Sequence, residues 1–103
     1  MHLWGIDLGG TKIEGAILQS RKNPIPLCRL RVPTEANLGY EHLIGQIEKL
    51  IGLMSEESGL KPSSIGIAHP GTLDPQTGTL KNSNTTCLNG QPFNKDLEAR
   101  LGI

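Results

Sequence analysis

The sequence predicts an α/β fold in which helices flank a mixed β-sheet. Three short runs of apolar and β-prone residues come first, separated by turn residues, as in successive antiparallel strands. A longer stretch then repeats apolar residues every three and four positions, as an amphipathic helix does. A short apolar run follows, and a strand reached through a helix pairs in parallel with an earlier strand. These observations predict the order strand, strand, strand, helix, strand.

Composition limits the classes of protein to which the chain can belong. Its 103 residues suit one domain or part of a larger one, and its ten basic residues balance ten acidic ones without a basic run. A nucleic-acid partner is therefore not expected. No apolar stretch approaches the roughly 18 residues of a membrane span, and no signal-like segment begins the chain, so we expect a cytoplasmic protein. Cys28 and Cys87 form no metal-binding pattern and are expected to be reduced and structural.

The stretch Gly5–Lys12 separates the first two predicted strands, His2–Ile6 and Ile13–Leu18. A tight turn between them needs residues that tolerate both positive φ and a close approach of the backbone. Gly9 and Gly10 meet both needs. We therefore predict a β-hairpin whose turn carries no side chain at two successive positions.

This turn has the chemistry of an anion site. Without glycine side chains, the amides of Gly10 and Thr11 can face a bound phosphate. Asp7 would repel a bare phosphate, so its carboxylate suits a site where Mg²⁺ lies between the two. The G-x-x-x-x-G-K-[ST] motif is absent, because neither Ser nor Thr follows Lys12, and the dinucleotide fingerprint is absent too. An ordinary hairpin turn is the alternative.

A third strand, Leu27–Val32, is predicted from its alternation. Pro24 and Pro26 precede it and are expected to mark a turn. Arg29 and Arg31 share the polar face of this strand. Solvation is the expected role of these two side chains, and contact with phosphate is the alternative.

The long helix is predicted over Tyr40–Glu57, with Thr34 and Asn37 as candidate N-caps. Its apolar face consists of Leu43, Ile44, Ile47, Leu50, Ile51 and Met54. Gly45 and Gly52 lie seven residues apart on one face of the helix. Since glycine destabilises a helix interior, we expect these two to permit close approach of a neighbouring element.

The last third of the chain predicts a strand, a hairpin, a polar turn and a helix. Ile65–Ala68 is wholly apolar, as a strand buried on both faces would be, and its carboxyl end is where open α/β sheets bind ligands. Leu73–Leu80 has the turn residues of a small hairpin. The amides and hydroxyls of Lys81–Thr86 suit the hydroxyls of a sugar, with a solvated loop as the alternative. Phe93–Leu101 predicts a second helix.

The predicted order of three antiparallel strands, a helix and a parallel strand resembles the opening half of a ribonuclease-H-like domain.

Three ordered motifs resemble those of the ROK family (repressors, open reading frames and sugar kinases) in the actin and hexokinase superfamily. Gly5–Glu14 is similar to its first phosphate motif, and Ile65–Gly71 to its G-x-G-x-P-G segment. Lys81–Phe93, followed by Asp96–Leu101, resembles the bacterial fructokinase and mannokinase branch. The resemblance covers essentially the whole chain.

The resemblance implies roles for individual residues. Asp7 would hold Mg²⁺ through water. The phosphates of ATP would be lined by the hairpin residues Gly5, Gly9, Gly10, Thr11 and Lys12. The sugar would be lined by Gly71, Asn84 and Thr85. His69 departs from the family pattern, and either a sugar hydroxyl or the backbone would be its partner.

The resemblance also implies what residues 1–103 lack. The family's catalytic base is an aspartate in an E/A-N-D-A/D-N segment, which this sequence does not contain, so the base is expected beyond Ile103. Asp74 and Asp96 belong to a hairpin and a helix and are not candidates for it. The His and Cys cluster for structural zinc and the adenine-binding domain are absent as well. We therefore expect an N-terminal sugar- and phosphate-binding lobe, truncated before the catalytic-base strand, inactive alone and homodimeric at full length.

The implied activity is transfer of the γ-phosphoryl group of ATP to the 6-hydroxyl of fructose, mannose or a related hexose. Glucokinase and N-acetylhexosamine kinase activities are alternatives within the family. A sugar-sensing repressor is less expected, because the motif beginning at Gly5 leaves no room for a DNA-binding helix-turn-helix. A non-catalytic fragment would expose a sheet edge and tend to associate.

Overall fold

The computed structural model describes residues 2–69 and 71–103. Its main sheet consists of β1 (Leu3–Leu8), β2 (Lys12–Ser20), β3 (Asn23–Pro33) and β4 (Ile65–Ala68). A small ribbon pairs β5 (Thr72–Leu73) with β6 (Leu80–Lys81). The helices are α1 (Tyr40–Ser58) and α2 (Phe93–Leu101), with short 3-10 turns at Ala36–Leu38 and Thr86–Leu88. Both helices begin at the predicted residue.

The strand order of the main sheet is β3-β2-β1-β4. β1 pairs antiparallel with β2 and parallel with β4, and β2 pairs antiparallel with β3. α1 connects β3 to β4 and so makes the crossover that a parallel pair needs. The predicted α/β class, with a mixed sheet and flanking helices, is confirmed.

The alternation of β1 decides which side chains form the core. Trp4, Ile6 and Leu8 are buried, whereas Gly5 and Asp7 are exposed on the opposite face. All six residues of the predicted apolar face of α1 are buried, and they pack in one core with Trp4, Ile6 and Leu8. This packing leaves Asp7 on the side of the sheet that α1 does not cover.

The other face of the main sheet is open over β1, β2 and β4. A groove of about 430 Å³ lies there, and small residues such as Gly5, Ala16, Gly66 and Ala68 line much of it. Gly66 and Ala68 are exposed, so the prediction that β4 is buried on both faces is wrong. β4 is also an edge strand of the sheet.

The turn before the third strand differs from the prediction. Pro24 and Pro26 lie within β3, which begins at Asn23, and the turn falls at residues 21–22. β3 is an edge strand of the sheet, a position where a residue without an amide hydrogen breaks no ladder bond on its free side. The prolines therefore mark an edge strand rather than a turn.

The two glycines of α1 do not permit close packing, contrary to the prediction. A Cβ atom on Gly45 or Gly52 would meet no heavy atom within 4 Å. The close approach lies instead at Gly15 in β2, where a Cβ atom would overlap the Sδ atom of Met54 from α1. The space for α1 is thus made by a glycine of the sheet.

We expect Gly45→Ala and Gly52→Ala each to raise the free energy of unfolding by up to about 1 kcal/mol, because alanine reduces the entropy of the unfolded chain and meets open space. Gly59→Ala is the control, since Gly59 ends α1 with φ of 73° and should lose stability when it gains a Cβ atom. Urea unfolding of each variant measures the change. A loss of stability at Gly45 or Gly52 would show that these positions are not open.

Polar contacts join α2 to α1 at one side of the molecule. The Tyr40 hydroxyl donates to Asp96 Oδ2 at 2.6 Å, and burial, followed by this hydrogen bond, raises the pKa of Tyr40 well above its ordinary value. Arg100 pairs with Glu41 at 3.0 Å and with Glu48 at 3.4 Å. Exposed ion pairs contribute little to the free energy of unfolding, so we expect the Tyr40–Asp96 hydrogen bond to contribute more than the Arg100 pairs.

None of the helices described is both long and apolar enough to cross a bilayer.

Candidate functional site

β1 and β2 form the predicted hairpin around residues 9–11, and the Gly9 amide donates to the Lys12 carbonyl at 3.0 Å. Among the described residues, the glycines with positive φ lie elsewhere, so the prediction that Gly9 or Gly10 supplies positive φ is wrong. A Cβ atom on Gly9 would instead lie 2.7 Å from the Lys12 carbonyl oxygen. Close approach of the backbone is therefore the reason for glycine at position 9.

The turn presents backbone donors to solvent. Gly10 and Thr11 are exposed, and within the described part of the chain their amides donate to no protein acceptor. Successive unpaired amides form a concavity that suits an anion. Lys12 is exposed at the start of β2, which places a cation beside the same turn.

Asp7 lies beside this turn on the open face of the sheet. It pairs in register with Glu14 of β2 on one side and Ala68 of β4 on the other. Directly opposed carboxylates repel one another, and a cation between Asp7 and a phosphate would relieve that repulsion. The described residues include no group of three or more His, Cys, Asp or Glu suited to a metal. A Mg²⁺ ion at Asp7 would therefore need phosphate oxygens and waters, which are its usual partners.

The polar run after β6 forms an ordered turn. Ser83 and Thr85 are buried, and Asn84 is exposed between them. The side chain of Asn89 makes two hydrogen bonds with the backbone of this turn. The Ser83 amide donates to Asn89 Oδ1 at 2.9 Å, and Asn89 Nδ2 donates to the Ser83 carbonyl at 3.1 Å. The Thr85 amide donates to Ser83 Oγ at 3.1 Å. These bonds hold the backbone on both sides of Asn84.

Gly71 packs against this polar turn with φ of 87°. A Cβ atom there would lie 2.7 Å from the Lys81 carbonyl oxygen and 3.0 Å from Ser83 Cβ. Only glycine fits this position without displacing the turn. Pro70, which belongs to the same predicted motif, lies outside the described residues.

The predicted phosphate and sugar sites are neighbours in space. A Cβ atom built on Gly10 would lie 3.9 Å from Thr85 Oγ1, which is ordinary van der Waals contact. Residues far apart in sequence thus bring the unpaired hairpin amides beside the turn that carries Asn84. The arrangement can hold an anion and a polyhydroxyl compound side by side.

The aspartates outside the hairpin already have partners. Asp74 Oδ1 accepts from the Gln76 amide at 2.9 Å in the loop between β5 and β6, and Asp96 accepts from Tyr40 on α1. That neither serves as the general base stays a prediction. Ile103 follows α2 and is 44% exposed, at the side of the molecule where α2 ends. A catalytic aspartate beyond Ile103 stays a prediction.

His69 follows β4 and packs against the first residue of α2. Its ring centroid lies 5.6 Å from that of Phe93, with the ring planes at 78°. An edge-to-face pair of this kind contributes to packing. This contact gives His69 a structural role, and a bond from His69 to a sugar hydroxyl stays a prediction.

The sequence reasoning missed the role of Thr34. α1 begins after Gly39 without a side-chain cap, so neither Thr34 nor Asn37 acts as the predicted N-cap. Thr34 is instead fully buried, and its hydroxyl donates to the Gly9 carbonyl at 2.8 Å. No local pattern indicates this contact, because the partner belongs to another turn of the chain.

The cysteines have no proposed role in the site, whereas Arg29 of β3 lines the same open-face groove as Asp7 and Glu14. Both cysteines are free, as predicted. Cys28 donates to Glu57 Oε2 at 3.2 Å, and burial, then this hydrogen bond and the charge of Glu57, raise the pKa of Cys28 to about 11. Arg29 and Arg31 are exposed, and Arg29 pairs with Glu14 at 3.7 Å. The expected solvation of the two arginines agrees with this exposure.

The model of the ROK family matches residues 3–103. The chain belongs to the ROK family. It is 35% identical over 99 residues to the N-acetyl-D-glucosamine kinase of Aliivibrio salmonicida, covering 96% of this chain and 32% of that protein. It is 34% identical over 98 residues to the N-acetyl-D-glucosamine kinase of Escherichia coli O139:H28, covering 95% and 31%. The chain thus spans about a third of the length of these relatives.

Solved structures of ROK proteins share the fold. The ROK hexokinase from Thermus thermophilus superposes with a TM-score of 0.78 at 27% identity, over 99% of this chain and 33% of that one. The inorganic polyphosphate/ATP-glucomannokinase from Arthrobacter sp. strain KM gives 0.77 at 30% identity, over 98% and 41%. The ROK chain described here therefore shares the fold of part of each of these kinases.

Proposed function

We propose that residues 1–103 form the N-terminal lobe of an ATP-dependent hexose kinase. The main support is the proximity of the hairpin turn to the polar turn, since a Cβ atom built on Gly10 would lie 3.9 Å from Thr85 Oγ1. Phosphoryl transfer depends on holding the phosphate and the attacking hydroxyl in line. A phosphate loop and a sugar-binding turn must therefore be neighbours. The names of the ROK relatives given above agree with this activity.

Each residue of the hairpin has a proposed task toward ATP. The amides of Gly10 and Thr11 would bind phosphate oxygens, and Lys12 would add positive charge at the same turn. Gly5 and Gly9 would let the backbone approach. Magnesium, when bound, neutralises charge on the phosphates. Asp7 would hold it through water, as the exposure of this carboxylate on the open face allows.

The polar turn has a proposed task toward the sugar. Asn84 is exposed and can donate to and accept from sugar hydroxyls. Thr85 is buried, so we assign to it the placing of this turn against Gly10 as well as the lining of the sugar. Gly71 would line the sugar, and it lets the backbone pack closely against the turn, where a Cβ atom would overlap the Lys81 carbonyl oxygen. Recognition by such fixed polar groups discriminates strongly, because a wrong ligand leaves them unpaired.

The general base would lie beyond Ile103, outside the residues described. A positioned base contributes typically about 10²–10⁴ in rate, so we propose that this lobe alone is inactive. Structural zinc is likewise proposed only for the part of a ROK kinase that these residues do not include. Homodimer formation and a cytoplasmic location are further parts of the proposal for the complete protein.

The proposed substrate class is an aldohexose of the glucose or N-acetylglucosamine type. The relatives at 34% and 35% identity are named N-acetyl-D-glucosamine kinases, and the Arthrobacter enzyme at 30% identity is named a glucomannokinase. The name of the Arthrobacter enzyme thus supports mannose as a substrate. None of these three names supports the prediction of fructose, so we propose N-acetyl-D-glucosamine as the leading substrate instead.

A hexose panel tests the proposed function. With the complete protein, ATP and Mg²⁺, we expect ADP release to depend on added N-acetyl-D-glucosamine, glucose or mannose. Asn84→Ala should lower kcat/KM for the preferred hexose by about 10²-fold while the affinity for an ATP analogue stays the same. Asn94→Ala is the matched control, because Asn94 is exposed on α2. An equal rate of ADP release with and without each sugar would overturn the proposal.

A further inference from the structure

We infer that Thr34 is a positioning residue for the phosphate loop, acting by fixing the two carbonyls that flank Gly10. This inference deepens the proposed function and rests on it. Thr34 lies between β3 and α1, outside the hairpin that it holds. It would touch neither ATP nor the sugar.

Two hydrogen bonds carry the inference. The Thr34 hydroxyl donates to the Gly9 carbonyl at 2.8 Å, and the Thr34 amide donates to the Thr11 carbonyl at 3.0 Å. Thr34 has no exposed surface, so water does not compete for either bond. One buried residue therefore holds the turn on both sides of Gly10.

The direction of these bonds decides which groups face solvent. In a trans peptide the carbonyl and the following amide hydrogen point in opposite directions, and no peptide bond among the described residues is cis. Holding the Gly9 carbonyl inward on Thr34 therefore turns the Gly10 amide outward. A freely rotating peptide could present its carbonyl oxygen instead, which would repel a phosphate. Thr34 thus preorganises the donor before the anion arrives.

The segment containing Thr34 is itself anchored to α1. Gln46 is only 7% exposed, and its Nε2 atom donates to the Pro33 carbonyl at 2.7 Å. Glu35 has a left-handed backbone with φ of 52°, and its Oε1 atom lies 3.2 Å from Gln46 Nε2 and 2.9 Å from His42 Nε2. These contacts fix the chain on both sides of Thr34. The loop is thereby coupled to the long helix through one short segment.

The test compares Thr34→Val with Thr34→Ser in the complete protein. Valine keeps the shape but removes the hydroxyl donor, whereas serine keeps the donor. We expect Thr34→Val to raise the Kd for Mg·AMP-PNP and the KM for ATP by about five- to tenfold, the effect of one hydrogen bond, with the KM for the hexose unchanged. In Thr34→Ser, the Kd for Mg·AMP-PNP and the KM for ATP should stay within about twofold of the values of the natural protein. A purely steric role of Thr34 would not predict this result.

Two further variants keep the test decisive if Thr34→Val fails to fold. Gln46→Leu removes the anchor of Pro33 while keeping Thr34, and we expect nucleotide affinity to fall about two- to threefold. Ile51→Val removes a buried methyl group of α1, and it should lower stability while leaving the Kd unchanged. Equal nucleotide affinity in Gln46→Leu and the natural protein would then overturn the inference.

Failure of the inference differs from failure of the proposed function. If the natural protein binds no nucleotide, the proposed function is wrong. If it binds Mg·AMP-PNP and Thr34→Val binds equally well, the proposed function stands and the positioning role of Thr34 is wrong. A nucleotide and hexose KM that rise together in Thr34→Val would also overturn the inference, because the loop would then not be the part affected.

Discussion

Replacing Asp7 by Asn in the complete protein should lower kcat by about 10²–10³-fold, because a bound metal ion supplies several kcal/mol of charge stabilisation during phosphoryl transfer. Asp7 is exposed and directly opposite Glu14, so the exchange should leave the fold intact and relieve a repulsion. Steady-state kinetics over a range of Mg²⁺ concentrations measure the effect. The variant should also need more Mg²⁺ for half-maximal rate.

Glu14→Gln is the matched control for this prediction. Glu14 lies on the same face and pairs with Arg29 at 3.7 Å, but no proposed role toward ATP depends on it. We expect its kcat to stay within about threefold of the natural protein, as for a surface ion pair. A normal kcat and Mg²⁺ dependence in Asp7→Asn would contradict the assignment, and so would an equal loss in both variants.

Replacing Gly9 by Ala should weaken Mg·AMP-PNP binding by more than about tenfold, since a misplaced binding group can lose a large part of its effect. The added Cβ atom would lie 2.7 Å from the Lys12 carbonyl oxygen, and that atom is backbone, so the turn itself must move. Overpacking of this kind lowers the free energy of unfolding by about 1–3 kcal/mol. Calorimetric titration and urea unfolding measure the two effects.

Gly66→Ala is the control for Gly9→Ala. Gly66 lies in β4, and a Cβ atom there would make an ordinary contact of 3.9 Å with the Trp4 carbonyl oxygen. We expect nucleotide affinity to be unchanged in this variant. Natural affinity in Gly9→Ala would show that the turn tolerates a side chain and that close approach at this position is unimportant.

Local sequence patterns were sufficient for most of the secondary structure. The spacing of apolar residues gave both ends of α2 and placed the end of α1 within one residue, because each helix buries a continuous stripe of its own side chains. Alternation predicted β2 and β3 for the same reason, and a short apolar run predicted β1. The buried face of a helix or strand appears as a periodic pattern of apolar residues within that element, so it can be predicted from the sequence of the element alone.

Contacts between distant elements could not be predicted in this way. Gly45 and Gly52 were expected to permit close packing, but nothing in α1 shows that the glycine allowing it is Gly15 of β2. Thr34 has the residue type of a helix cap, and only the folded chain shows that its hydroxyl meets Gly9. In both cases the partner lies in another element.

The sequence predicted which types of residue form the candidate site, but it did not predict how they are arranged in space. The sequence indicated a hairpin for phosphates and a polar turn for a sugar, since backbone donors and amide groups suit those ligands. The proximity of Gly10 to Thr85 depends on the fold. The resemblance to the fructokinase and mannokinase branch favoured fructose and mannose, whereas the relatives reported above are named N-acetyl-D-glucosamine kinases.

The central claim is that the hairpin between β1 and β2 binds the phosphates of a nucleotide. It is tested most directly by following the backbone amide NMR signals of the complete protein during titration with Mg·AMP-PNP. The account predicts the largest shifts at Gly10 and Thr11, with little change at Lys95 on α2. Saturable nucleotide binding with the Gly10 and Thr11 signals unmoved would contradict it.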